Sequence, residues 1–390
     1  MRLGVYADLV YRAEGETLST DRSFVKFVTS LPPRVDEVVL FGRLDPRTGR
    51  SPYAIPEEGV RFVPFPHYER VTSIGPLLRA LPRSRSIFEA ELERLDAVWM
   101  FGPHPLALEL ARIARRRGTP LFLGIRQDYR RYIGGRLPSR AWLWAVPAAH
   151  ALDLAFRRLA RDAPTVAVGA ELGERYRRSG GRVLVTGFSL VPRSEIVPVE
   201  NALARSWDGG LRVLSVGRLD PEKNPLLLAE VLAGLRRRHG AWRLAVAGEG
   251  PLAERLSARI AELGLEYAWE LLGYVPNGPR LWQEYRRSHA FLHVSHTEGL
   301  PQVLFEAQAA CLPIVATDVG GVRAALGEGR AGLLVPAADP AAAVDALERL
   351  RLEPVVRRAV VSAGHELVRA ETLEDQLDRV AEFFRQALPR

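Results

Sequence analysis

A repeating alternation of segments constrains this fold more than any single motif. Apolar runs at residues 2–6, 35–41, 60–63, 97–101, 121–125, 165–168 and 183–186 alternate with amphipathic stretches such as 106–117. Short apolar runs of this kind read as buried strands, and the stretches between them as helices. Such alternation predicts a mostly parallel sheet covered by helices on both faces. Pro192 through Pro198 interrupts the series, which then restarts with strands at 211–216, 242–247, 269–272, 290–294, 314–317 and 332–335. At 390 residues the chain is too long for one ordinary core. The expectation is an α/β chain with two Rossmann-like doubly wound domains, residues 1–192 and 193–371, facing across a cleft. A last helix within 372–390 could reach back to the first domain. Ligands of such sheets bind beyond the carboxyl ends of the strands. The strand-end loops are therefore where the chemistry is expected.

One of these loops carries Glu298-Gly299-Leu300-Pro301-Gln302-Val303-Leu304-Phe305-Glu306, after the strand at 290–294. Pro301 is expected at the first helical position, where its missing N–H costs nothing. Glu306 then falls in the second turn. Free backbone N–H groups at a helix start attract phosphate, and carboxylates accept hydrogen bonds from hydroxyls. A ligand with both groups, such as a nucleotide sugar, fits that pair. Read alone, two glutamates eight apart are as well explained by a solvated helix face. The strand at 211–216 ends in Gly217-Arg218-Leu219-Asp220-Pro221-Glu222-Lys223, where an arginine and a lysine could clamp a diphosphate. Lys223 carries information because Lys26 is the only other lysine among 54 basic residues. Gly248-Glu249-Gly250-Pro251-Leu252-Ala253 fits the dinucleotide pattern G-x-G-x-x-A. Against a dinucleotide site, Glu270 starts its strand instead of ending it, and the motif follows the second strand of its series. Gly320-Gly321 closes a further strand-end loop.

The remaining composition excludes more than it selects. Formal charge is +8, but acidic residues are interspersed with the arginines and no nucleic-acid-binding motif accompanies them, so nucleic acid is not an expected partner. Cys311 is the single cysteine, so no internal disulfide is available and a reducing, cytoplasmic setting is expected. The first residues lack the apolar run of a signal peptide, and no segment reaches the length of a membrane span. His104, His293 and His296 show no metal-ligand spacing. His296, two residues before Glu298, is read as a plain loop histidine.

Taken jointly, Gly217-Arg218 with Lys223, Gly248-Glu249-Gly250-Pro251, Leu272-Gly273-Tyr274-Val275, the Glu298 to Glu306 stretch, Pro313-Ile314-Val315-Ala316-Thr317, Gly320-Gly321 and Gly332-Leu333-Leu334-Val335-Pro336 resemble the retaining, nucleotide-sugar-dependent glycosyltransferases of family four, which have the GT-B fold. The resemblance covers about residues 211–350; the first half of the chain matches in rhythm alone. It implies that Arg218 and Lys223 hold the donor diphosphate, Glu306 the ribose hydroxyls and Glu298 the hydroxyls of the transferred sugar. Gly217, Gly248 and Gly250 would let backbone approach the donor. The amides of the stretch Gly299-Leu300-Pro301-Gln302-Val303, save Pro301, which has no N–H, would meet sugar and phosphate, and Tyr274 and Val275 would border the base. It further implies a UDP-sugar donor first and a GDP-sugar second, retention through front-face attack, and no cofactor or divalent metal.

The sequence departs from that pattern on the acceptor side. Arg126-Gln127-Asp128 stands where many relatives have a histidine, and the usual double glycine near the first strand is reduced to Gly15. Cys311-Leu312 and Val322-Arg323-Ala324-Ala325 also replace the family's usual residues. Gly15, His104, Arg126 and Asp128 are the acceptor-side candidates, for a glycan, lipid-linked or small-molecule acceptor. Trp142-Leu143-Trp144, preceded by Arg130, Arg131, Arg136 and Arg140, reads first as core packing and second as a peripheral membrane contact. Two other classes compete with the transferase. One is a nucleotide-sugar 2-epimerase of the same architecture, and the other a nucleotide-sugar-binding protein without turnover.

Overall fold

The computed structural model describes residues 1–32, 34–69, 74–128 and 144–388. The stretch from Arg130 to Leu143, with its four arginines and Trp142, lies outside the described residues, while Trp144 is half exposed. The chain divides into two compact units, Met1–Phe188 with Asp375–Arg390, and Ser189–Glu374.

The first unit contains, among the described residues, nine strands: β1 (Arg2–Glu14), β2 (Thr17–Thr20), β3 (Glu37–Leu44), β4 (Tyr53–Ala54), β5 (Val60–Phe65), β6 (Ala97–Gly102), β7 (Leu121–Ile125), β8 (Thr165–Val168) and β9 (Val183–Thr186). Its parallel ladder runs β5-β3-β1-β6-β7-β8-β9. β2 pairs antiparallel with both β1 and β4. β1 is far longer than the expected 2–6 because Leu9 and Tyr11 are also buried. It reaches its length through a register shift between Tyr6 and Val10. Gly15, at φ 60, then turns the chain into β2. Thr20 does not cap the following helix, since its hydroxyl donates to Val10 O at 2.8 Å. That helix, Val25–Thr29, starts after Phe24 without a side-chain cap. Pro147 lies in the first turn of the helix Ala145–Leu159, where its missing N–H is tolerated, and so does not act as an interior kink. The last helix, Leu373–Ala387, lays Phe384 against Phe122 and Trp99, with ring centroids 4.1 and 5.0 Å apart.

The second unit has β10 (Leu211–Val216), β11 (Trp242–Ala247), β12 (Trp269–Gly273), β13 (Ala290–His293), β14 (Ile314–Thr317) and β15 (Leu333–Val335), all parallel, in the order β12-β11-β10-β13-β14-β15. Val213, Leu244, Leu292 and Val315 face one layer of helices, while Leu214, Ala245, Phe291 and Ala316 face the other. This alternation is what a parallel sheet buried on both faces requires. The strand order reverses between β1 and β6 in the first unit, and between β10 and β13 in the second. Such reversals open a crevice at the carboxyl ends of the two strands concerned, the usual ligand position of a doubly wound sheet. Among the described residues, no helix is long and apolar enough to cross a membrane.

Candidate functional site

In the second unit, the loops after β10, β11, β13 and β14 are pressed together through glycines. A Cβ on Gly248 would lie 1.8 Å from Gly217 O, and one on Gly250 within 2.6 Å of the Leu219 backbone. Leu219 N–H donates to Glu249 O at 2.8 Å, and Leu252 N–H returns to Leu219 O at 3.0 Å. On the far side of the reversal, a Cβ on Gly321 would meet Gly299 O at 1.7 Å, and one on Gly320 would meet Glu298 O at 2.0 Å. Only glycine permits this approach, which fixes the heights of the two loops that carry Lys223 and Glu298. Gly217 and Gly299 themselves face open space.

Lys223 and Glu298 therefore meet although they are 75 positions apart. Lys223 Nζ donates to Glu298 Oε1 at 2.6 Å. Ser295 Oγ donates to the same oxygen at 2.7 Å, and His293 Nε2 lies 3.0 Å from it with its ring N–H off the line of a good hydrogen bond. Burial alone would raise the Glu298 carboxyl. His293 and Lys223 outweigh that and hold it down to about 2. It is thus a fixed anion throughout the physiological range. Ser295 is itself anchored, its carbonyl accepting Thr317 Oγ1 at 2.7 Å. Sequence reading weighs His293 only as a metal ligand and misses Ser295. Their positions five and three before Glu298 on a strand end were the available signal.

Arg218 is exposed and turned to its own loop, pairing with Asp220 and, at 2.7 Å, with Glu222. Glu306 is buried in a separate network, accepting Asn277 Nδ2 at 2.8 Å and Tyr285 OH at 2.7 Å. Its helix runs Gln302–Ala309, so Pro301 is the cap residue and not, as expected, the first helical residue. Pro301 holds ψ 111, an extended value, so helical geometry begins only at Gln302. Leu300 and Val303 pack against the adjoining core. Tyr274 is exposed, its N–H donating to Glu249 Oε1 at 3.1 Å, while Val275 is buried beside it. Glu270 is held by Arg212 and Arg287 near the start of β12, remote in its strand from any ribose-binding position.

At the corresponding reversal of the first unit stands a polar cluster that sequence reading found only through His104. Asp8 Oδ1 accepts Tyr68 OH at 2.9 Å and Tyr6 OH at 3.0 Å. Arg43 Nη2 reaches Asp8 Oδ2 at 3.1 Å, and His104 Nε2 lies 3.3 Å from the same oxygen. The Arg43 guanidinium covers the Tyr68 ring at 4.1 Å. Burial would raise the Asp8 carboxyl, yet His104, Arg43 and the two hydroxyls keep it below the usual carboxylate range. Burial lowers the His104 imidazole, which favours its neutral form. The other acceptor-side candidates have different partners. Gly15 is the exposed hairpin turn between β1 and β2. Arg126 extends its guanidinium over Phe24 at 3.6 Å, and Asp128 accepts Arg175 Nη2 at 2.9 Å.

Two doubly wound units, each with polar side chains gathered at its strand-order reversal, make this a GT-B glycosyltransferase fold. Sucrose-phosphate synthase from Thermosynechococcus elongatus superposes with a TM-score of 0.72 at 19% identity, covering 99% of this chain and 98% of that one; this likeness is one of fold. The family model for glycosyl transferases group 1 matches residues 205–366. The chain is 30% identical over 355 residues to a GDP-mannose-dependent alpha-mannosyltransferase of Mycolicibacterium smegmatis, covering 87% of this chain and 88% of that protein. It is 39% identical over 158 residues to a D-inositol 3-phosphate glycosyltransferase of Frankia alni, 38% of each chain. The chain thus spans less than half the length of that relative, and 45% of a second one from Acidothermus cellulolyticus. On the strength of the long alignment, this chain belongs to the glycosyl transferases group 1.

Proposed function

We propose that this chain transfers a glycosyl group from a nucleoside-diphosphate sugar to a hydroxyl acceptor, with retention of configuration and without a divalent metal. The observation that carries the reading is the meeting of Lys223 and Glu298, from the loops after β10 and β13, at the reversal of the donor-side sheet. In the reaction the acceptor oxygen bonds to the anomeric carbon as the bond from that carbon to the β-phosphate oxygen breaks. The acceptor proton passes to the departing phosphate. Lys223, Arg218 and the helix amides after Pro301 stabilise the charge that develops there, the part a metal plays elsewhere. Glu298 accepts hydroxyls of the transferred sugar. Glu306, held by Asn277 and Tyr285, meets the ribose hydroxyls, and Tyr274 and Val275 border the base. On the acceptor side, His104 and the ionised Asp8 receive a hydroxyl-bearing glycan, lipid-linked or small-molecule acceptor.

A UDP-sugar is the donor that the motif resemblance puts first. GDP-mannose is the second reading, favoured by the name of the relative that spans most of the chain. Incubation with UDP-glucose and with GDP-mannose, with separate detection of free nucleotide and glycosylated product, tests the reading. A transferase yields both. A 2-epimerase yields an isomerised sugar with its nucleotide, and a binding protein leaves the donor intact. Either of those results would overturn the proposal.

A further inference from the structure

Three side chains gather at Glu298 Oε1, Lys223 and Ser295 as donors and His293 with Nε2 at 3.0 Å, and they differ in what can move. Lys223 sits on a flexible four-carbon stem, with 23% of its side chain exposed. His293 is the last residue of β13 and is buried, with 7% of its side chain exposed. Ser295 is buried and tied by its carbonyl to Thr317 of β14. Among the described residues, Glu298 Oε2 accepts no hydrogen bond, which leaves that oxygen to a substrate hydroxyl.

A bound diphosphate carries more negative charge than one carboxylate, so it draws Lys223 to itself. Glu298 then loses its shortest contact at the moment its orientation matters most. A carboxylate held by one hydroxyl alone rotates freely about its last torsion, and a misplacement of about 1 Å costs on the order of a hundredfold in rate. The imidazole is placed to prevent this. Its Nε2 lies 3.0 Å from Oε1 without a hydrogen bond to it in this arrangement, within reach of the carboxylate when Lys223 leaves.

We propose that His293 is a positioning residue, which with Ser295 keeps Glu298 aimed at the donor sugar once Lys223 has passed to the diphosphate. The inference rests on the transferase reading and deepens it. Partners that orient a functional group from behind typically matter 10- to 100-fold.

The test compares His293→Ala and His293→Gln with the unaltered protein. The glutamine amide nitrogen reaches about as far as imidazole Nε2 and carries the needed N–H. His293→Ala is expected to lower kcat about 10- to 100-fold, with Kd for UDP and GDP changed less than about twofold. His293→Gln is expected to recover most of the loss. Binding gives a readout independent of turnover: the extra affinity of UDP-glucose or GDP-mannose over the bare nucleoside diphosphate should disappear in His293→Ala and return in His293→Gln. Unchanged kcat and unchanged sugar-dependent affinity in His293→Ala would overturn the inference. So would equal impairment of both variants together with a lowered Tm, since that describes packing. Absence of turnover in the unaltered protein would refute the transferase reading, while the sugar-dependent affinity would still decide the role of His293.

Discussion

Glu298→Gln should tighten the binding of a bare nucleoside diphosphate, although it removes a residue assigned to the donor site. Lys223 is already engaged, at 2.6 Å, by a carboxylate whose side chain is 7% exposed. The Glu298 pKa of about 2, against an ordinary value of 4.5, corresponds to about 3 kcal/mol favouring its charged form. His293 and Lys223 produce that shift against the cost of burial, and about 1–1.5 kcal/mol is the size of the lysine's hydrogen bond. Glutamine keeps the shape and a neutral acceptor but surrenders the charge, so a diphosphate draws Lys223 away against less resistance. The expected gain is about 5- to 10-fold in Kd for UDP or GDP, measured by calorimetry at low salt and shrinking as salt screens the phosphate. Transfer from the sugar nucleotide should fall by about a hundredfold or more in the same variant. An unchanged or weakened Kd for the bare nucleotide would refute the reasoning, because it would mean that Lys223 never changes partners.

Lys223→Ala and Arg218→Ala each remove a charged hydrogen bond of about 1.5–3 kcal/mol, so nucleoside diphosphate affinity should drop about 10- to 150-fold. Unchanged titrations in both variants would remove these side chains from the donor site. Gly321→Ala places a methyl 1.7 Å from Gly299 O, so the Glu298 loop must shift. A loss of about 1–3 kcal/mol in denaturant unfolding and of nucleotide binding is expected, and wild-type binding would show that loop height is unimportant. Asp8→Asn leaves the buried Arg43 guanidinium without its counter-charge. Because Asp8 is partly exposed, about 2–3 kcal/mol is the expected cost, a fall in Tm of about 5–10 °C. The folded Asp8 carboxyl lies below its unfolded value, so its contribution is complete above about pH 4 and fades as pH falls further. The Tm difference between Asp8→Asn and wild type should therefore be largest near neutrality and shrink toward pH 2–3. A constant difference would assign the loss to shape instead of charge.

The second unit was legible because its motifs are local. Gly217 to Lys223, Gly248 to Pro251 and Glu298 to Glu306 each occupy a few consecutive residues at the end of a strand, so strand-end placement alone marks them. From sequence His293 is weighed only as a metal ligand because it reads as one more residue of an apolar strand, and nothing in the run 290–294 tells which side chain faces the next loop. The Asp8 cluster escaped notice for a different reason. Asp8, Arg43, Tyr68 and His104 come from four separate segments, and only the pairing of β1 with β3 and β6, and of β3 with β5, makes them neighbours. At Thr20 a local rule and the tertiary structure disagree. A threonine before an apolar run is a fair cap by local rules, but a carbonyl of β1 competes for its hydroxyl and wins.

Apolar periodicity and the glycines at strand ends determine two parallel sheets and the loops in which chemistry can reside, because burial period and backbone clearance are properties of short segments. Which side chains touch is decided only when strand order is fixed. The reversals between β1 and β6 and between β10 and β13 bring Asp8 to His104 and Lys223 to Glu298. Electrostatics then follows from distance and burial, neither of which a linear chain possesses.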